Sequence, residues 1–473
     1  MKWDVIVVGS GPNGMAAAAL LAKAGHSVKV IEGQDTFGGG ARTLPLTLPG
    51  FQHDVCSAIH PMAAASPVFA GLELEKHGVE FVHSPFPLVH PLRDGRAAVL
   101  ERSVDATAAR LGPDERAWKK LMSPFVKNFE AIRSLVMSPI TKLPSPRATG
   151  FAVRSLLDAF SFAEDNFETD EAKALLGGCA AHSFSPLTAP LTNGIGLWLA
   201  LSAQTVGWPL VRGGSQKLID AMLALVLRNG GQLERAHPVT NLAELDDAKL
   251  VLFDTHAHVV ERICGEALPG WYRALLRGLK PGAGVFKIDY ALSGPMPWLA
   301  PEAHHAATLH LGGRLPELAE SEARFNRGEA PVNPYVLVAQ QSLWDHTRAP
   351  AGQHTLWAYC HVANGSDLDC TEALEAQLER AAPGWQKLVL HRTAKRTSHF
   401  EATNAAYVGG DISGGSVDGL QSLLRPTPFP AHATPNPRLF ICSSSTPPGP
   451  AVHGMCGYWA AQSAMKQLRK RSN

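Results

Sequence analysis

Six residues near the start of the chain, Gly9-Ser10-Gly11-Pro12-Asn13-Gly14, constrain its fold more than any other feature. They follow a short apolar, β-branched run, residues 4–8, that reads as a buried parallel strand. They lead into residues 15–24, rich in Ala and Leu and free of breakers, which read as a helix that Gly25 ends. A second strand, Val28–Ile31, comes next and carries Glu32 at its end. This is β-α-β within about thirty residues, the minimal crossover unit. Gly9 permits the tight turn, Gly11 lets a pyrophosphate approach the backbone, and Gly14 lets helix and strand pack closely. The helix start, at Pro12 and Asn13, points free N–H groups and a positive dipole end at the phosphates. Glu32 stands where a carboxylate accepts both hydroxyls of an adenosine ribose, and it disfavours a 2′-phosphate, so NADP is not expected here. A purely structural glycine turn is the competing reading, and the strand-turn-helix-strand-acid order argues against it.

Just past Glu32 comes Phe37-Gly38-Gly39-Gly40-Ala41-Arg42-Thr43. An Arg on a glycine loop close to the first phosphate site can neutralise a diphosphate, and the glycines let the loop fold over it. NAD-type Rossmann units generally lack this appendage, so the expected dinucleotide is FAD. Taken alone, the loop could equally be a flexible turn with one solvated Arg. Its position ten residues after the acid favours the phosphate role.

These motifs, with the following Pro49-Gly50-Phe51-Gln52-His53-Asp54 and Ser57-Ala58-Ile59-His60-Pro61, resemble the phytoene desaturase-related FAD-dependent oxidoreductases. These sit within the superfamily of monoamine oxidase and protoporphyrinogen oxidase. The resemblance is strongest to the branch of pyridine nucleotide-disulfide oxidoreductase domain-containing protein 2, and it runs nearly end to end. It implies an α/β fold: a Rossmann-type FAD-binding domain interleaved with an α+β substrate domain of helices and a mainly antiparallel sheet. It also implies that Gly39, Gly40, Ala41 and Arg42 hold the diphosphate and that Val239, in His237-Pro238-Val239, lends its backbone to the adenine. In the C-terminal stretch, Ser444, Val452 and Gly454 would bring a helix N-terminus to the flavin ring, stabilising negative charge at its N1–C2=O edge. Relatives usually have Gly where this chain has Ser443. In the family the segment with His60 passes the flavin, so His60 is a weak catalytic candidate, weighed against a structural histidine capping a turn; His453 has the same standing.

The remaining features narrow the function by exclusion. The chain's 473 residues, 45% of them hydrophobic and 18% charged, suit two globular domains. The expected division is 1–65, 205–265 and 435–473 for the FAD domain and 66–204 and 266–434 for the substrate domain. A net charge of +1 speaks against a nucleic-acid partner. Seven scattered cysteines, none at CxxC spacing, suggest reduced thiols in a cytosol-like compartment; none stands where the resemblance would put the covalent-flavin cysteine of monoamine oxidases, which implies a non-covalent FAD. No apolar run reaches the length of a membrane span, although the helices expected within 122–137 and 151–162 leave room for peripheral membrane contact. His256 and His258 could share a face on a strand, but no third ligand follows, so no metal is expected. Lys287, mid-strand, reads as salt-bridged or snorkelling rather than as a Schiff-base lysine. From 284 onward, alternating segments read as antiparallel strands with one wet face. With no second glycine fingerprint, oxygen or a quinone is the expected electron acceptor rather than NAD(P). The leading reaction is dehydrogenation or desaturation of an apolar organic substrate. The alternatives are a redox-neutral isomerase or hydratase using reduced FAD, and a flavin-bound interaction protein with little turnover.

Overall fold

The structure, a computed structural model, describes residues 2–139, 141–419, 421–426 and 431–472. The first strand, β1 (Trp3–Val8), runs into helix α1 (Pro12–Lys23) and returns as β2 (Val28–Ile31). Proline stands in the first turn of α1, where its missing N–H costs nothing, and Gly25 leaves the helix at φ +88°. β1 and β2 sit in a five-stranded parallel sheet whose order is Leu439–Ile441, Ala248–Phe253, β1, β2, Gln232–Glu234. Its three central strands are mainly apolar because both faces are covered, while the edge strand Gln232–Glu234 is polar and part-exposed. Val5, Val7, Val28 and Val30 pack on α1 and its neighbours. Ile6, Val8, Val251 and Phe253 pack on the helices Ala257–Cys264 and Gly270–Gly278 behind the sheet.

The second sheet has seven strands, in the order Val389–Lys395, Gly284–Leu292, His354–Val362, Val336–Ala339, Thr308–Leu311, Leu88–Pro91, Ala97–Leu100. Every pairing is antiparallel except the one between Leu309 and Val89. The chain therefore visits the parallel sheet, two strands of the antiparallel sheet, the helical stretch, the parallel sheet, the rest of the antiparallel sheet and the parallel sheet again. This is a Rossmann-type domain interleaved with an α+β one.

The wet face expected for the antiparallel strands is found on the edge strand Val389–Lys395 but is missing from the central ones. Gly284–Leu292 is buried along its whole length, and His354–Val362 from its second residue onward. One face carries Phe286, Ile288, Leu356 and Ala358 against helix Thr371–Ala381. The opposite face, with Leu337, Trp357 and Tyr359, lines an internal cavity. Alternation thus separates core from cavity rather than core from solvent. The strand Val336–Ala339 stops short of Gln341 and Ser342. There Gln340 turns inward: its side-chain amide donates to Ala303 and Ala306 carbonyls at 3.1 Å and its oxygen accepts from Trp298 Nε1 at 2.7 Å.

A buried ionic network pins the segment after the Arg42 loop to the antiparallel sheet. Arg348 lies between Asp54 (2.5 Å) and Asp345 (3.0 Å), and all three side chains are fully buried. Lys287 meets both oxygens of Asp289 at 2.5 Å and donates to the Asp54 carbonyl at 3.0 Å. Of the two readings of Lys287, the salt bridge is the one found. No described helix is long and apolar enough to cross a membrane.

Candidate functional site

One continuous cavity of about 1150 Å³ runs from the glycine turn to the cavity face of the antiparallel sheet. At its first end, Gly9 sits at φ +97°, and a Cβ there would lie 2.5 Å from the Asp254 carbonyl oxygen. Only glycine lets β1 turn this tightly beside the adjacent strand. Gly14 is equally confined: a Cβ would lie 2.5 Å from the Gly9 carbonyl oxygen, in keeping with its packing role.

Glu32 is anchored before any ligand arrives. Its Oε2 accepts from Ser10 N (2.9 Å) and Ser10 Oγ (2.5 Å), and its Oε1 accepts from Gln34 N (2.9 Å). Ser10 Oγ in turn accepts from Gly38 N at 2.9 Å. One carboxylate therefore ties the glycine turn to the Arg42 loop, and lone pairs on both oxygens remain for a ribose.

Arg42 is 4% exposed. Its Nε donates to Gly39 O (2.8 Å), Nη1 to Thr36 Oγ1 (3.2 Å) and Nη2 to Thr403 O (3.0 Å). All three partners are neutral, and no carboxylate among the described residues pairs with it. A buried guanidinium costs free energy unless an anion compensates it. Here it lines the cavity beside Gly11 and the start of α1, so the donor set fits a diphosphate.

Of the positions expected from sequence to hold the dinucleotide, Gly9, Gly11, Pro12, Asn13, Glu32, Gly39, Gly40, Arg42, Val239, Ser444 and Val452 line this one cavity. Gly14, Ala41 and Gly454 do not. Gly14 donates its N–H to Asp254 Oδ2 (2.8 Å), Ala41 is fully buried, and Gly454 lets the closing helix Met455–Ser472 come down on Phe69 and Ala16. Ser443, where glycine was expected, is buried beside the cavity and accepts from Ser445 N at 3.3 Å.

The histidine candidates separate. His60 lines the cavity. Ser215 Oγ gives its proton to Ser57 O at 2.6 Å, so it accepts from His60 Nε2 at 2.8 Å. Burial pushes His60 down to about 4, so the ring is neutral near pH 7. His453 lies outside the cavity lining; its Nδ1 accepts from Met455 N at 2.9 Å, and it serves to start the closing helix. His256 and His258 do not share a strand: His256 precedes helix Ala257–Cys264 and accepts from His258 N at 3.2 Å. No group of three metal-ligating side chains occurs among the described residues.

Two groups of cavity residues carried no signal in the sequence. Asp254 follows the strand beside β1 and faces the glycine turn. Burial, with Glu32 nearby, raises its carboxyl to about 7. Its strand was legible, but nothing local marks the side chain that ends it. The second group forms the far end, where Phe184, Trp198, Trp208, Leu337, Trp357 and Tyr359 make an aromatic chamber with His182 in its wall.

This fold sets a Rossmann-type dinucleotide-binding unit against a second, mainly antiparallel sheet. Residues 7–72 match the family of NAD(P)-binding Rossmann-like domains. Across 99% of its length, and 94% of the relative's, the chain is 24% identical to pyridine nucleotide-disulfide oxidoreductase domain-containing protein 2 of Mus musculus, as the sequence resemblance implied. It is also 31% identical to one of the limonene dehydrogenase polypeptides of Castellaniella defragrans, over 22% of this chain and 19% of that one. Among solved structures, cyclohexylamine oxidase from Brevibacterium oxydans superposes with a TM-score of 0.61 at 14% identity, covering 100% of both chains.

Proposed function

We propose that this chain is an oxidoreductase that holds one FAD non-covalently and dehydrogenates an apolar organic substrate. The carrying observation is continuity: one cavity joins the Arg42–Glu32–glycine cradle to the aromatic chamber. When bound, FAD supplies the two-electron acceptor, taking a hydride at N5. The protein's part is position and field. Glu32 would hold the ribose, Arg42 and the start of α1 would hold the diphosphate, and the loop before Met455–Ser472 would supply backbone N–H groups to the ring. The aromatic walls exclude water and select an apolar substrate. The partial likeness to a limonene dehydrogenase polypeptide supports that substrate class. With one glycine fingerprint, electrons leave to oxygen or a quinone rather than to NAD(P). Leu143 and Leu156 line one end of the cavity and stand 84% and 58% exposed, which favours peripheral contact with a lipid surface at that rim.

The test is spectroscopic. The purified protein should be yellow, and acid precipitation should release its FAD to the supernatant. Anaerobic addition of lipophilic alkenes or amines should bleach the flavin band. A protein that stays colourless after incubation with excess FAD refutes the proposal. Turnover seen only after pre-reduction, with no acceptor consumed, would make it an isomerase instead.

A further inference from the structure

We propose that Nδ1 of His182 is a hydrogen-bond acceptor site for apolar ligands bearing an O–H or N–H donor, and that a row of three histidines holds it in that state. The proposal deepens the reading of the aromatic chamber as substrate space, and it rests on that reading.

The row begins at a backbone carbonyl. His90 Nε2 lies 2.7 Å from Gly313 O. A carbonyl only accepts, so Nε2 carries the proton and His90 Nδ1 is bare. That bare nitrogen has no partner and faces the backbone of Gly178, as does His310 Nδ1. A Cβ on Gly178 would sit 3.0 Å from the first and 2.7 Å from the second, so only glycine leaves room for both. Two bare lone pairs facing the same buried space would repel each other. The proposal places the proton on His310 Nδ1, so that across Gly178 a donor rather than a second lone pair meets the bare nitrogen of His90, and this leaves His310 Nε2 bare. His182 Nε2 is 3.0 Å from His310 Nε2 and must then be the donor. Each ring of a neutral row has one N–H, so His182 Nδ1 is left as an acceptor.

His182 is half-buried, lines the cavity and makes no other hydrogen bond among the described residues. Its ring stands edge-on to Trp208 at 6.0 Å, in a wall of mainly aromatic and aliphatic side chains to which Thr308 and Tyr359 add hydroxyls. Burial, with His361 nearby, pushes His182 down to about 3, and burial with the two neighbouring rings pushes His310 well below the usual histidine range. The row is therefore uncharged near pH 7. A neutral acceptor in a desolvated wall discriminates sharply. A ligand that supplies a donor gains a hydrogen bond, whereas one of equal shape without it leaves the nitrogen unsatisfied.

The probes are 4-octylphenol and its methyl ether, 4-octylanisole, titrated calorimetrically into the full-length protein as purified. The phenol should bind roughly tenfold tighter than the ether, about 1.4 kcal/mol. His182→Phe should erase that preference while leaving ether binding in place, and His182→Gln, whose amide oxygen also accepts, should restore part of it. Gly178→Ala should weaken the preference without touching the cavity wall. Equal binding of both probes, or a preference that survives in His182→Phe, would overturn the histidine assignment alone. Failure of both probes to bind would overturn the reading of the chamber as ligand space as well.

Discussion

Replacing Arg42 with Met should separate cofactor binding from folding. The guanidinium has five N–H groups. Three are committed to Gly39, Thr36 and Thr403, and two remain toward the cavity. A hydrogen bond to a charged partner contributes roughly 1.5–3 kcal/mol. Losing two to a diphosphate would cost about 3–6 kcal/mol if nothing replaced them. The backbone amides at the start of α1 still serve the same phosphates, so the lower figure, ~3 kcal/mol, is the expected one. That weakens FAD binding on the order of 100-fold. The assay is quenching of FAD fluorescence on titration with apoprotein. Arg42→Lys should fall between, because it keeps the charge and loses the fork. The apoprotein itself should lose little stability in Arg42→Met, since the change also removes a buried cation that has no carboxylate partner among the described residues. An FAD Kd within about threefold of the unmodified protein would refute the assignment of Arg42 as the diphosphate clamp.

Two further outcomes follow from buried charges. Because burial raises Asp254 to about 7, the native protein holds a proton that the unfolded chain, with a carboxyl near 4, releases. The unfolded state then binds fewer protons between about pH 4 and pH 7, so Asp254's contribution to stability falls across that window and levels off above it. Asp254→Asn should flatten that part of the Tm-against-pH curve for the apoprotein; an unchanged slope would show that Asp254 is not the titrating group. Arg348→Met leaves Asp54 and Asp345 buried without their cation and should cost roughly 3–5 kcal/mol. Denaturant unfolding would measure this, and a loss below about 1 kcal/mol would show that the network is not desolvated as described.

The amino-acid sequence by itself marked the residues of the proposed dinucleotide cradle. Gly9, Gly11, Gly14, Glu32 and Arg42 fall within one short stretch, where backbone geometry and one crossover place each side chain with little help from elsewhere. The same locality made the salt-bridged state of Lys287 one of two legible readings. What only the tertiary structure decided lies between elements distant along the chain. A period-two pattern identifies the strands Gly284–Leu292 and His354–Val362 but cannot say what covers each face, and here helices cover one and a cavity the other. Asp254 reaches the glycine turn because its strand pairs with β1 across more than two hundred residues. His90, Gly178, His182 and His310 meet only where sheet and helices pack together. No local propensity encodes such a meeting; it follows from burying the surfaces that surround it.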